Sequence, residues 1–555
     1  MLFSEFANVC EQVAATTKKL QKAAFLKTFF EQLSDADLVI AARFFAGAPF
    51  PIADQRVLQV GGAAVRDAVL QLTGATRETW DHLVVTYGEA GRAAQQLLPE
   101  HAAVVPDSTL ADVFGMYEEL QLARGPSKKV PLIVRALQQM TPLEGAYFIK
   151  LMLGGDLRIG LQEGLVEDAL ARAADVPLAE VQRANMLLGD IGETALLARH
   201  RQLAHARMRL FHPLKFMLAS PIAEPQEIRK NISGSFFVED KYDGIRAQVH
   251  KQGDRVALYS RTLDEMTARF PELHAPLAAL PGEWILDGEI LAARDGQIMP
   301  FKALQARLGR KDVSDALLQQ TPVVFVAYDI LYQDSVVLLD DPLYMRRVRL
   351  EDLVRAYASD QPLDGVMVGS VMPSLQLLIK DVARIDALFD QARARGNEGL
   401  MVKDPDSRYK PGRRGREWLK VKKALATLDV VVTAAEVGNG NRRRFLSDYT
   451  FAVRRSADDP ELLNVGKAYS GLTDAEVQEL TDWFTAHTLR DFGRVKLVEP
   501  EIVFEIAFDS VQPSPRHKSG YALRFPRIVR WRKDKPASEI DTLDVVQRLA
   551  QGDQL

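Results

Sequence analysis

The sequence predicts a multidomain chain: an all-α N-terminal domain over residues 1–205, an α+β domain over 206–425 and a small C-terminal β-barrel with one helix over 426–555. Three observations carry that prediction. Apolar residues recur at helical spacing through the N-terminal part. Near Phe211 the texture changes: Pro213 and Pro221 break the helical pattern and short β-type runs follow. The last part alternates like strands around a single capped helix. At 555 residues the chain is too long for one core and fits two to four domains.

In the first domain, helical spacing covers Leu20–Leu33 and Leu38–Phe45, with Ser34 as N-cap and Asp37 three residues on. The segment Leu151–Leu161 interrupts the pattern. Its glycines permit close backbone approach, and exposed amides near a helix start suit a phosphate; alone, the segment is equally a tight helix–helix turn. In the middle domain Phe236–Lys241, Ile245–His250 and Val256–Ser260 read as strands, with Gln252-Gly253-Asp254 as a hairpin turn. Trp284–Ala292 and Val323–Leu331 are further apolar strands. In the last domain the strand candidates are Leu428–Glu436, Tyr449–Arg455, Ile502–Ala507 and Leu523–Val529, and Thr473 with Glu476 forms a capping box. That content is compatible with an OB-type barrel, a fold that commonly binds oligonucleotides.

Composition narrows the class. Hydrophobic residues at 47% and charged residues at 26% are the balance of a soluble globular protein. A single cysteine, Cys10, excludes an intramolecular disulfide and fits a reducing cytoplasm. No secretory pattern and no apolar run of bilayer length is present, so a cytoplasmic protein is expected. Net charge is −4, but phosphate contacts depend on local patches rather than on the total. Arg516–Lys535 carries eight cations against one acid, Asp534; Arg442-Arg443-Arg444 is a second cluster, and Lys410, Arg413, Arg414 and Arg416 a third. One such cluster is ordinarily a solvated face.

The chemistry lies in an ordered set of short segments. Lys241-Tyr242-Asp243-Gly244, closed by Arg246, opens a stretch in which Ile245, Ala247 and Val249 alternate with polar residues. Ser260-Arg261, Asp287-Gly288-Glu289 and Ala327-Tyr328-Asp329 follow. Then come Glu398-Gly399-Leu400-Met401-Val402-Lys403, Trp418-Leu419-Lys420-Val421-Lys422 and Leu523-Arg524-Phe525-Pro526-Arg527. In this order they resemble the covalent nucleotidyltransferases and, within them, the ATP-dependent DNA ligases. The resemblance covers nearly the whole chain: helical DNA-binding domain, adenylation domain and OB-fold domain. Beside it, the three basic clusters favour nucleic acid as the partner.

The resemblance implies ATP and Mg²⁺ as cofactors and nicked double-stranded DNA as substrate, and a monomer with no membrane role is expected. Lys241 is the implied nucleophile, attacking the α-phosphate to give lysyl-AMP, followed by AMP transfer to a 5′-phosphate and attack by the 3′-hydroxyl. An amine of ordinary pKa about 10.4 needs burial or cationic neighbours to be neutral, and Arg246 and Arg261 are the expected neighbours. Glu289 and Glu398 match the acids expected to hold Mg²⁺. Lys420 and Lys422 alternate to one strand face and would reach phosphate oxygens, with Arg416 as a bidentate donor. Glu239 shares a strand face with Lys241 and would accept from the adenine amino group, while Tyr328 stands where these ligases stack an aromatic on the purine. Gly155, Arg158, Gly160, Arg442, Arg444, Arg524 and Arg527 are the expected DNA contacts. The resemblance also implies that the OB domain reorients between steps, with a pivot at Lys423–Thr427. RNA ligases and GTP-using capping enzymes share the lysine segment, and a catalytically silent nucleic-acid-binding module is the other class; the helical domain, Glu239 and the filled catalytic positions favour a DNA ligase. Leu26–Phe30 has the hydrophobic and paired aromatics of a sliding-clamp peptide but lacks its leading glutamine, and an amphipathic core helix is the better expectation.

Overall fold

The computed structural model describes residues 1–99, 107–294, 297–308, 313–355, 371–421, 426–438, 442 and 444–551. These form two compact units, Met1–Lys422 and Lys423–Leu555.

The N-terminal part of the first unit is helical from Phe3–Ala14 to Ile191–Arg199. Its ends are set by short polar side chains. Ser34 Oγ accepts from the Asp37 amide at 3.1 Å, as its spacing predicts. Thr141 and Glu144 close a capping box at the start of helix Pro142–Leu153. Leu26, Phe29 and Phe30, the hydrophobic and aromatic positions of the clamp-like stretch, are all buried. Phe29 and Phe30 pack edge-on against Phe45, so this segment is core and presents no docking peptide.

The α+β part holds two sheets. Strands β1 (Leu218–Ile222), β2 (Phe236–Lys241), β3 (Ile245–Gln252), β4 (Arg255–Tyr259), β5 (Trp284–Arg294), β6 (Val323–Gln333), β7 (Gln376–Ile379), β8 (Gly399–Lys403) and β9 (Arg414–Val421) form its frame. One sheet runs β1-β9-β8-β2-β7, and the other contains β4-β3-β5-β6. The alternation that predicts β3 is present, yet its polar face is not wet. Gln248 and His250 are fully buried. The chain entering from the helical part lies over them: the Phe211 and Leu214 amides donate to His250 Nδ1 and Gln248 Oε1 at 2.9 and 2.7 Å. Burial pushes His250 down to about 3, so it stays neutral.

Helix Leu343–Arg355 crosses β6 and anchors it with a buried ion pair. Arg346 donates to both oxygens of Asp329 at 2.8 and 2.9 Å, and both side chains have 0% exposure. Removing one partner strands the other charge in the core, so Arg346→Met is expected to cost about 3–5 kcal/mol. Equilibrium urea unfolding checks this; a wild-type midpoint and slope would contradict it.

Among the described residues the second unit holds a seven-stranded antiparallel sheet of OB type and a separate two-stranded one. Its long first strand, Ala426–Val437, pairs with Leu446–Arg454 on one side. On the other it pairs with Val503–Phe508 and, further along, Val495–Val498. Helix Asp474–Ala486 starts at the predicted capping box, Thr473 with Glu476. The single strand expected over Leu523–Val529 is two strands, Tyr521–Arg524 and Arg527–Trp531, in different sheets. Phe525 adopts φ 53° between them and Pro526 has no amide to donate, which breaks the run. Of the implied pivot, residues 423–425 lie outside the described residues, and 426 begins the first strand.

Candidate active site

Backbone register assembles the site before any side chain is considered. Across the first sheet Gln376, Glu239, Met401 and Lys420 stand in one row. Lys241 and Gly399 pair in the next row of that face, and the period of two puts Lys403, Trp418 and Arg416 on it too. Gly399 has no substitute, because a Cβ there would lie 2.6 Å from the Val421 carbonyl. Gly244 is equally fixed: its Cβ would meet the Ile290 carbonyl at 2.5 Å where the chain turns from β2 into β3.

Lys241 ends β2, and its amine is hydrogen-bonded to Glu398. The Glu398 amide in turn donates to the Lys241 carbonyl at 2.8 Å, so acid and lysine are locked through the backbone. The amine's hydrogen-bond partner is thus an acid, and Arg246 makes its own hydrogen bonds elsewhere. Arg246 donates Nε and Nη2 to Asp287 at 3.1 and 2.7 Å and Nη1 to the Met217 carbonyl at 2.8 Å. Asp287 is 41 residues away, and only strand pairing reveals it. It is fully buried and also accepts from the Tyr409 hydroxyl at 2.6 Å. Arg261 lies exposed on the turn after β4.

Glu289, on the same strand as Asp287, pairs in register with Arg246. It is partly buried, and burial pushes its carboxyl up to about 8 against the opposing pull of Arg246 and Lys241. Asp287 and Glu398 add to the upward push.

Tyr328 is presented by a β-bulge. Asp287 and Gly288 pair with Asp329 and Ala327, leaving Tyr328 as the extra residue on β6. Its ring lies 5.6 Å from the Arg246 guanidinium and 4.7 Å from Lys403 Nζ, where the two sheets meet. Arg346, by holding Asp329, fixes the residue next to this bulge.

Lys403 is the residue that sequence reasoning missed. At 1% exposure it lies between the Tyr328 and Trp418 rings and donates to Glu239 Oε2 at 2.8 Å. Gln376 Nε2 donates to the other Glu239 oxygen at 2.6 Å. The strand alternation Gly399, Met401, Lys403 was the available signal. Arg416 is exposed, Lys420 is partly exposed, and Lys422 lies outside the described residues.

Among the expected DNA contacts, Gly155, Arg158 and Gly160 lie together on the loop after helix Pro142–Leu153. In the second unit Arg442 donates to Asp474 at 2.9 Å, Arg444 is exposed and Arg443 is outside the described residues. Arg524 lies 5.1 Å from the Phe525 ring, and Arg527 pairs with Asp509 at 3.3 Å. The terminal basic run is less free than its sequence suggests: Glu505 meets Arg530, Asp429 meets Arg532 and Lys535, and Glu479 meets Lys533.

Three family models match in chain order: DNA ligase N terminus over residues 2–171, ATP dependent DNA ligase domain over 216–422, and ATP dependent DNA ligase C terminal region over 442–535. A probable DNA ligase of Koribacter versatilis is 46% identical across 98% of this chain and 96% of its own. The chain belongs to the ATP-dependent DNA ligases. The ligase is also 37% identical to a DNA ligase of Methanoculleus marisnigri over 98% of the chain and 97% of that protein. A DNA ligase of Archaeoglobus fulgidus is 34% identical over 99% and 98%. Among solved structures, one titled Pmar-Lig_PreS3 shares the fold, with TM-score 0.60 at 18% identity over 95% of this chain and 99% of that one. ATP is therefore its nucleotide and DNA its substrate. No helix among the described residues is long and apolar enough to cross a membrane.

If Glu239 reads the adenine amino group, its two partners hold the carboxylate for that task. Glu239→Ala is expected to raise the ATP requirement and weaken discrimination against GTP, by about 0.5–1.5 kcal/mol for a lost hydrogen bond and more if Lys403 stays buried without a partner. A competition assay measures this; unchanged selectivity would contradict it.

Proposed function

We propose that the ligase seals nicks in duplex DNA through a lysyl-AMP intermediate on Lys241. The hydrogen bond between the Lys241 amine and Glu398 carries this reading, because it gives the nucleophile an acceptor for its proton at a fixed position. The amine attacks the α-phosphate of ATP, a P–N bond forms, and the bond to the β-phosphate oxygen breaks to release pyrophosphate. A 5′-phosphate oxygen then displaces Lys241, which regains its proton, and the 3′-hydroxyl finally displaces AMP. Tyr328 stacks on the purine, Glu239 faces its amino group, and Lys420, Lys422 and Arg416 receive phosphate oxygens. Arg246 acts through its hold on Asp287 and Glu289's strand, and Arg261 meets the nucleotide from its exposed turn. The helical residues 1–205 grip the DNA, 206–425 adenylate, and the OB unit 426–555 brings Arg442, Arg444, Arg524 and Arg527 to the substrate.

Glu289 and Glu398 would hold Mg²⁺. No group of three or more acids, histidines or cysteines gathers among the described residues. Two carboxylates with nucleotide oxygens and water suffice for this ion, which would neutralise phosphate charge. The raised Glu289 carboxyl fits an acid that awaits a cation. Its proton stabilises the fold fully below its ordinary value of 4.5, a contribution lost as pH rises through about 8. Near neutral pH, Mg²⁺ binding should therefore expel about one proton. Calorimetry in buffers of different ionisation enthalpy reads this release, which Glu289→Gln should remove; equal release from both proteins would contradict the assignment.

The function itself is tested with a 5′-labelled nicked duplex. With ATP the labelled strand should lengthen and become phosphatase-resistant, and GTP should not replace ATP. Failure to seal while the protein still takes up AMP would overturn it.

A further inference from the structure

Two buried lysines hold three carbonyls of the loop 154–161 of the helical part. Lys22, on helix Lys19–Glu31, donates to the carbonyls of Ile159 and Gly160 at 2.6 and 2.9 Å. Lys150, on helix Pro142–Leu153, donates to the Leu157 carbonyl at 3.1 Å and pairs with Glu89 at 3.0 Å. Both lysines are buried. The Gly155 carbonyl also faces inward, so close to buried Gly47 that a Cβ there would lie 1.9 Å from it. Burial lowers the pKa of both lysines, which makes their placement costly and calls for a use.

In a trans peptide the carbonyl of one residue and the amide of the next point in opposite directions, and no cis bond occurs among the described residues. Pulling the carbonyls of Gly155, Leu157 and Ile159 inward therefore turns the amides of Asp156, Arg158 and Gly160 outward. Asp156, Arg158 and Gly160 are exposed. The Arg158 amide is taken by Asp156 Oδ1 at 2.8 Å, and no acceptor within the described residues takes the amides of Asp156 and Gly160. The left-handed conformations of Gly155, Arg158 and Gly160, at φ 95°, 57° and 62°, are the local consequence. An outward amide above a buried ammonium group suits an anion.

We infer, building on the DNA contact expected of this loop, that Lys22 is a positioning residue that holds the Ile159 carbonyl inward and so aims the Gly160 amide at a DNA phosphate, with Lys150 steadying the loop at Leu157. They touch no DNA themselves. Their removal should free the carbonyls to turn and take the amides with them.

The test uses the full-length enzyme, with Lys22→Met, Lys150→Met, Lys22→Arg and Arg158→Ala, and nicked-duplex affinity followed by anisotropy over a salt series. Lys22→Met is expected to bind about tenfold more weakly and Lys150→Met less so, while Arg158→Ala, which removes an exposed cation, should make the slope of log K against log salt shallower by about 0.9. Lys22→Arg, which keeps the charge and the donors, should recover most of the affinity. Self-adenylation, which needs no DNA, reports on folding; if a methionine variant loses it, Lys22→Gln and Lys150→Gln carry the same comparison. Wild-type affinity in the lysine variants, with Arg158→Ala weakened, would overturn the positioning role alone. Wild-type affinity in all of them would overturn the DNA contact of the loop as well.

Discussion

Lys241→Ala should form no covalent AMP adduct while still binding nicked DNA. On the proposed mechanism the lysine contributes the reacting nitrogen itself, so no neighbour can substitute. Two described cations of the site are committed elsewhere: Lys403 to Glu239, and Arg246 to Asp287. The measurement is protein-bound label from α-labelled ATP after denaturation, with acid lability marking the phosphoramidate. Persistent acid-labile adduct on the variant would remove Lys241 from its role.

Glu398→Gln should slow single-turnover adenylation at neutral pH by about 10²–10⁴-fold, the usual contribution of a positioned proton acceptor. The amide keeps the shape and the backbone bond to the Lys241 carbonyl but takes no proton. Its rate should therefore climb with pH further into the alkaline range than the wild-type rate, as water and hydroxide take over. A uniform loss across pH would instead assign Glu398 to cation binding alone, and an unchanged rate would strip it of both roles.

The ordered segments were legible because each is short, local and held by strand alternation: Lys241 with Glu239, and Lys420 with Lys422. Helix starts at Ser34 and Thr473 were legible for the same reason, since a cap acts over three residues. What the sequence hid depends on pairing over distance. Arg246 reads as a free cation until β3 and β5 bring Asp287 beside it. The terminal basic run reads as one patch until other elements supply Asp429, Glu479 and Glu505. Gln248 and His250 read as the polar side of a strand, yet residues 211–214 cover them. Tyr328 was identifiable by its place in the order, but its aim comes from a bulge that no local pattern announces.

The most direct test follows one phosphorus atom through the enzyme. The ligase is labelled with α-labelled ATP, freed of nucleotide, and mixed with nicked duplex under single-turnover conditions. Label should leave Lys241, appear at the 5′ end of the nick as adenylated DNA, and emerge as free AMP in step with strand sealing. Sealing without passage of the label through the protein, or label retained on Lys241 while the nick closes, would contradict the lysyl-AMP mechanism.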